Sequence, residues 1–440
     1  MADKKVLIIA YYWPPSGGSG VQRWLKFVKY LPQFGWKPYV FTPENPSAPV
    51  TDPSLLKDVP AEAVVVKLPI WEPYEAFGKL SKLFSGNKNS PVQGGSVNQG
   101  SSLFSKLSIW VRGNFFIPDP RKFWVRPAVK FVRDYLEANN IETIVTTGPP
   151  HSMHLIGLKL KKQKPSLRWI VDMRDPWSEW GFLDSIQAGT RAKAKHKKLE
   201  HEVLTTADGV ITITPFYVRQ FERLSGRNVN LVTNGFDEED FKNFKIVRSD
   251  KFLIRHVGIV NEKCDPRPFM NAVAAWCDEN QEIRNTIEIE FVGQVNSGFR
   301  NFVESNPTLS QITRFTDTVP HEKLMNIYAS SAVLLLILTG YKDAEGYMPG
   351  KLFEYLATGL PVLGVGPVAG DAADLMLRAK AGEMFEADQP AAIGEFITRA
   401  YARWSTSGRL GGSAGSDFSR RTTTGKLVTL LNNTTAKDSR

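Results

Sequence analysis

Glu345-Gly-Tyr-Met-Pro-Gly-Lys351-Leu-Phe-Glu354-Tyr-Leu-Ala-Thr-Gly359-Leu-Pro361 reads as a turn, a helix and the approach to a strand. An unalternated apolar run at residues 333–338 precedes it, Pro349-Gly350 breaks the chain before the helix, and a further apolar run at 361–365 follows. Strand, turn, helix, strand is the repeating unit of a parallel α/β sheet.

The same rhythm extends in both directions. Short β-branched runs at residues 5–10, 38–42, 63–67, 143–147, 169–172, 210–214 and 229–233 alternate with helix-length segments, and the count restarts at 252–257, 287–292, 333–338 and 361–365. Apolar runs without polar alternation predict strands covered on both faces, hence two doubly wound α/β domains. The polar stretch at 237–250 lies where the count restarts, so the expected domains are 1–240 and 251–403. Residues 85–102, rich in Gly, Ser, Asn and Gln, read as a mobile insertion in the first domain. A terminal helix at 417–433, with Phe418, Leu427, Leu430 and Leu431 at helical spacing, is expected to cross back to the first domain.

Composition narrows the class. Of 440 residues, 42% are hydrophobic and 23% charged, which excludes a wholly disordered, collagenous or disulfide-scaffold chain. Cys264 and Cys277 form no metal-binding grouping and suit a reducing cytoplasm. The apolar start ends in Pro14-Pro15 rather than a small-residue cleavage site, so a secretory leader is not expected, and no run approaches the 18 residues of a spanning helix. The net charge of +10 suits phosphorylated substrates, anionic lipid or nucleic acid alike.

Several residues carry chemistry by type and position. Gly17-Gly18-Ser19-Gly20 lies between the first strand and a helix expected at 21–31, where backbone N–H groups can approach a phosphate; a plain tight turn is the alternative. Lys351 opposes the dipole at a helix start, and a diphosphate would compensate it. Glu354 suits the two hydroxyls of a ribose, or equally a surface charge.

Taken together with Leu231-Val-Thr-Asn-Gly-Phe-Asp237, Phe291-Val-Gly293 and Val319-Pro-His-Glu-Lys-Leu324, these stretches resemble glycosyltransferases of the GT-B fold, family 4-like, across almost the whole chain. The resemblance implies two Rossmann-like domains facing across a cleft, with the sugar nucleotide held mainly by the second. Glu354 then matches the glutamate on the ribose. The family's first acid, eight positions earlier, falls on Gly346, and Glu345 misses that register by one. Lys263, Arg267 and Lys351 are the expected grips on the diphosphate, and His321 is expected near the base.

On the acceptor side, Gly148-Pro-Pro-His151-Ser-Met-His154 and Val171-Asp-Met-Arg174-Asp175-Pro-Trp177 both follow strands, where such sheets bind ligands. Asp175, Arg174 and His151 are the catalytic candidates, although Asp172, Arg174 and Asp175 could equally form an internal salt-bridged turn. No Asp-x-Asp occurs, so positive side chains and helix ends would have to stabilise the leaving group, with no metal and no cofactor beyond the donor. Aromatic and basic residues interleave over 68–132, and basic runs at 159–164 and 191–198 follow; this is the composition of a membrane-surface contact, although core packing also explains aromatics.

The resemblance therefore implies a cytoplasmic hexosyltransferase-type enzyme, peripheral on the inner face of the plasma membrane. It would move a sugar from a nucleoside diphosphate to a hydroxyl of a lipid-linked glycan during cell-surface polysaccharide synthesis, with retention. A sugar-nucleotide epimerase is the rival among enzymes. A basic nucleic-acid-binding protein is the rival of another class, but no nucleic-acid-reading motif is present and nucleic acid is not an expected partner.

Overall fold

The computed structural model describes residues 4–48, 50–72, 103–179, 181–262, 264–339, 344–407 and 416–433. The insertion expected at 85–102 lies outside them. The chain divides into two units, one of Met1–Ile213, Tyr217–Thr233 and Thr424–Arg440, the other of Thr214–Phe216 and Asn234–Thr423.

The first unit carries a seven-stranded sheet of β1 (Lys4–Ile9), β2 (Trp36–Pro43), β3 (Val64–Leu68), β4 (Thr143–Gly148), β5 (Arg168–Met173), β6 (Gly209–Thr212) and β7 (Asn230–Leu231). All pairings are parallel and the order is β3-β2-β1-β4-β5-β6-β7. The chain reverses its direction of winding between β1 and β4, the switch point at which such sheets form a ligand crevice beyond their carboxyl ends. The second unit repeats the design with β8 (Phe252–Val257), β9 (Ile287–Val292), β10 (Thr313–Thr316), β11 (Val333–Ile337), β12 (Val362–Val365) and β13 (Gly382–Phe385), in the order β10-β9-β8-β11-β12-β13.

Burial follows the unalternated runs. Along β11, Leu335 and Ile337 join a core with Phe252, Phe269 and Phe291, whereas Leu334 and Leu336 join another with Leu352, Tyr355 and Met376. A period-two strand facing helices on both sides needs apolar residues at every position. Two strands escaped the sequence pattern, β10 and β13. Each is an edge strand of four residues, half wetted, with no apolar run to detect.

The units part at Thr233 rather than near 240. Phe236 is bridged to Ser419: its N–H donates to the Phe418 carbonyl at 3.1 Å, and Arg420 N–H returns a bond to the Phe236 carbonyl at 2.8 Å. These bonds hold residues 234–237 to a segment of the second unit. The last helix, Arg420–Asn433, starts there, and its Leu427, Val428 and Leu431 join Val6, Trp24, Val28 and Leu31 in the first core.

The deepest polar feature of the first unit is Asp172 on β5. Its fully buried carboxylate accepts from Arg23 Nη2 at 3.0 Å, Trp24 Nε1 at 2.7 Å and Thr147 Oγ1 at 2.9 Å, and Arg23 Nη1 reaches the Thr233 carbonyl at 3.0 Å. Burial alone would raise the Asp172 pKa. The Arg23 charge and hydrogen bonds, then the Arg174 charge and the Trp24 N–H, outweigh it and hold the carboxyl below its ordinary value. A depressed carboxylate contributes stability above the unfolded pKa of about 3.9, and that contribution is lost as pH falls through the folded value.

Asp172→Ala strands the Arg23 guanidinium in the core and is expected to cost about 3–5 kcal/mol in urea unfolding at neutral pH. Adding Arg23→Met should recover part of that loss; strictly additive losses would show that the two side chains do not act as a pair.

Candidate functional site

In the second unit, β8 is followed by Gly258, whose φ of 137° is open to glycine. A Cβ there would lie 2.3 Å from Lys351 Nζ, so the ammonium is laid against bare backbone. Lys351 sits in the first turn of helix Gly350–Thr358, which begins after Pro349 with no side-chain cap and no acidic residue in its first turn. No carboxylate lies within ion-pair distance of Lys351 among the described residues. Burial lowers its pKa, and Cys264 and Glu354 offset this only in part. Beneath it, burial first and the Lys351 charge second hold His256 well below its usual pKa, and its Nδ1 donates to the Leu335 carbonyl at 3.0 Å. The Cys264 thiol, 3.8 Å from His256 Nε2, is pushed up by burial and stays protonated. The cluster is a half-buried cation over neutral groups at an uncapped helix start. It can take an anion.

One turn on, Glu354 is fixed from below. Tyr328 OH donates to Oε2 at 2.8 Å, and His321 Nε2 lies 3.3 Å from Oε1. Burial first, then the Glu354 charge, pushes the Tyr328 pKa well up, so the phenol remains a donor. Glu354 keeps 23% of its side chain exposed, with lone pairs left for an outside diol.

The remaining expectations for this unit sort by geometry. Lys263 lies outside the described residues. Arg267 opens helix Arg267–Glu279, is ion-paired to Asp265 at 2.8 Å, and lines a cavity of about 340 Å³ together with Asn261, Glu262, Asn296 and Ser297. Glu345 is exposed on a 3-10 turn, and Gly346, at the register of the family's first acid, is buried: a Cβ there would lie 2.5 Å from the Phe216 ring. A glutamate at Gly346 has no room, which explains the departure from the pattern.

In the first unit, Gly17 differs from the expectation of a phosphate contact, because its N–H is spent on the Val50 carbonyl at 2.8 Å. Gly18, with φ 87°, precedes helix Ser19–Tyr30, which has neither side-chain cap nor acidic first turn. Arg174 also departs from its expected catalytic role. Its Nε, Nη1 and Nη2 donate to the Gly148, Gly20 and Pro149 carbonyls at 3.0, 2.9 and 3.0 Å, so it clamps the loops after β1 and β4. His151 is a buried packing group, stacked on Trp177 with ring centroids 4.8 Å apart and planes 1° from parallel. Burial, then His154, His196 and Arg174, holds it well below the usual histidine pKa.

Asp175 is different. Burial raises its pKa, with Arg174 pulling the other way, and its half-buried carboxyl makes no ion pair among the described residues. Of the three catalytic candidates, Arg174 has spent its donors on backbone carbonyls, whereas Asp175 keeps a carboxyl in no ion pair among the described residues and the buried, neutral His151 keeps ring nitrogens with no hydrogen-bond partner there. Tyr328, Asp172's partner Arg23 and the His256–Cys264 floor were not found from sequence. Arg23 follows Gly20 by three positions, and only its burial separates it from an ordinary surface arginine.

No protein-family model matches the sequence, and no curated protein matches it. Solved structures do match in fold. Sucrose-phosphate synthase from Thermosynechococcus elongatus is 14% identical, with TM-score 0.62 over 98% of this chain and 99% of that one. A glycosyltransferase from Rickettsia africae ESF-5 is 11% identical with TM-score 0.61, all of both chains being covered. The lipopolysaccharide outer core galactosyltransferase WaaB is 13% identical, with TM-score 0.55 over 98% and 99%. At these identities the likeness establishes the fold: this is a GT-B chain of two Rossmann-like α/β domains.

Because only the ammonium form of Lys351 attracts an anion, pyrophosphate affinity measured by calorimetry should fall with rising pH through a midpoint below the ordinary lysine value of about 10.4. Lys351→Met should abolish that dependence; an unchanged profile would remove Lys351 from the anion site.

Proposed function

We propose that the protein is a glycosyltransferase that takes a nucleoside diphosphate sugar as donor and transfers the sugar to a hydroxyl of a lipid-linked glycan in cell-surface polysaccharide synthesis. The observation that carries this is the pairing, on one short helix, of an unneutralised Lys351 at the uncapped start with a braced Glu354 one turn later. A diphosphate against the cation and a ribose diol on the carboxylate satisfy both groups with one molecule. The shared fold with sugar-transferring enzymes supports the same conclusion.

The leaving diphosphate gathers negative charge as the glycosidic bond breaks. Lys351 and the N–H groups at its helix start are positioned to stabilise that charge without a metal, in keeping with the absence of Asp-x-Asp from the sequence. Retention needs no strong protein base. Asp175, whose pKa burial raises, is a group of the first unit that could accept or return a proton at an acceptor hydroxyl. A lipid-linked acceptor places the work at the inner face of the plasma membrane, and no described helix is long and apolar enough to cross a bilayer.

Glu354→Ala removes up to two hydrogen bonds to the ribose, each worth on the order of 1.5–3 kcal/mol, and should weaken sugar nucleotide and free nucleoside diphosphate together. It also orphans the Tyr328 hydroxyl, so Glu354→Gln, which keeps an acceptor there, should bind better than the alanine variant. Unchanged nucleotide affinity in both variants would sink the donor assignment, and donor turnover without any acceptor would favour an epimerase.

Transfer should persist in excess EDTA. Complete loss restored only by Mn²⁺ or Mg²⁺ would overturn metal independence.

A further inference from the structure

The first unit carries an aromatic and basic surface that neither its core nor the groups at its sheet edge use. Helix Leu103–Phe115 ends in exposed rings: Trp110 is 44% and Phe115 59% exposed, with centroids 5.7 Å apart. Trp71, 61% exposed, meets Phe123, 42% exposed, edge-on at 5.4 Å. Lys122 joins them, its Nζ 5.1 Å from the Phe123 centroid and donating to the Phe115 carbonyl at 2.5 Å.

A basic helix adjoins these rings. Asn114, on the aromatic helix, donates to the Gln187 carbonyl at 3.0 Å and accepts from Gly189 N–H at 2.9 Å, which fixes the start of helix Thr190–Thr206. That helix buries Ala192, His196, Glu200 and Val203. Its exposed face carries Arg191, Lys195 and Lys198 at i, i+4 and i+7, with no carboxylate in ion-pair distance of any of them among the described residues. Burial first, then the Lys195 charge, lowers the Lys122 pKa, so these two cations lie near enough to repel each other. Like charges held together beside exposed indole and phenyl rings lack a counter-charge, and what would supply it must also accept aromatic rings.

We propose that Trp71, Trp110, Phe115 and Phe123, bordered by Lys122, Arg191, Lys195 and Lys198, form the surface by which the protein docks on an anionic phospholipid bilayer. The rings enter the headgroup boundary and the cations neutralise lipid phosphates. The proposal rests on the lipid-linked acceptor proposed above and names the face that meets the membrane. Docking raises the effective concentration of an acceptor confined to the bilayer.

The test is co-sedimentation with phosphatidylcholine vesicles, with and without phosphatidylglycerol, at low and high salt. The wild-type chain should bind the anionic vesicles, in part salt-resistantly. Arg191→Glu/Lys195→Glu/Lys198→Glu should lose the salt-sensitive part, by at least roughly fivefold per lysine or arginine. Trp110→Ala/Phe123→Ser should lose the salt-resistant part. Circular dichroism and stabilisation by nucleoside diphosphate, bound through the second unit, report whether each variant is folded.

Wild-type binding that both variants retain would overturn this surface and leave the membrane reading standing. No wild-type binding at low salt would overturn both, while nucleotide stabilisation would still support the donor site. Binding that appears only after residues 85–102 are removed would assign the face to the chain's own segment. Tighter binding of a short duplex oligonucleotide than of vesicles, lost in the charge variant, would assign it to nucleic acid. Each of these last two results overturns the proposal.

Discussion

The first unit depends on one buried charge being answered in place. Asp172 stands on β5, and the groups that satisfy it come from β4, from the helix after β1 and, through Arg23, from the carbonyl of Thr233. A carboxylate in an apolar interior is tolerated only when donors surround it, so these elements can assemble in one mutual geometry alone. Apolar packing by itself leaves helices free to slide by a fraction of a turn, whereas a carboxylate that accepts from Arg23 Nε and Nη2, Trp24 Nε1 and Thr147 Oγ1 does not. The loops at the sheet's carboxyl edge inherit that precision. Arg174, two residues along, extends it by tying the Gly20 carbonyl to the Gly148-Pro149 turn.

The second unit solves a different problem. The diphosphate site proposed for it needs a cation that is charged but not already neutralised, and desolvation works against such a group. Here the lysine is half-buried over a neutral imidazole and a protonated thiol, at a helix start with no acidic residue to compensate it. The acid it does feel, Glu354, lies a turn away and is engaged by Tyr328 and His321. Lys351 therefore keeps attraction in reserve for a ligand, and the glycine after β8 gives the ammonium its place against the backbone.

The two sheet edges are thus unequal. In the first unit Arg174 and the Gly17 N–H are consumed by the fold, while Asp175 makes no ion pair among the described residues and the ring nitrogens of the buried His151 have no hydrogen-bond partner there. In the second the polar groups are braced from below and open above. The aromatic and basic face of the first unit belongs to neither pattern: its exposed rings leave apolar area in water and its neighbouring cations repel one another without stabilising the domain, which is the ground for the docking surface proposed above.

The doubly wound class was legible in the sequence because strands buried on both faces carry apolar runs without period-two alternation, as Val6–Ile9 in β1 and all of β11 do, although β4 includes three threonines and β8 includes Arg255 and His256. Edge strands β10 and β13 carry half that signal and passed unseen. Lys351 stood out in the sequence as a candidate because a cation at a helix start is locally unfavourable, and Glu354 because it follows one turn later; the bracing of Glu354 by Tyr328 and His321 was visible only in the structure. The roles of Arg174, His151 and Gly17 were decided only by tertiary structure. Nothing in Met-Arg-Asp-Pro tells whether an arginine's donors meet a ligand or three carbonyls from distant loops, and nothing in Pro-Pro-His tells that the imidazole lies flat on Trp177. Composition determines which groups can do chemistry; which of them are left free to do it depends on contacts between residues far apart in the chain.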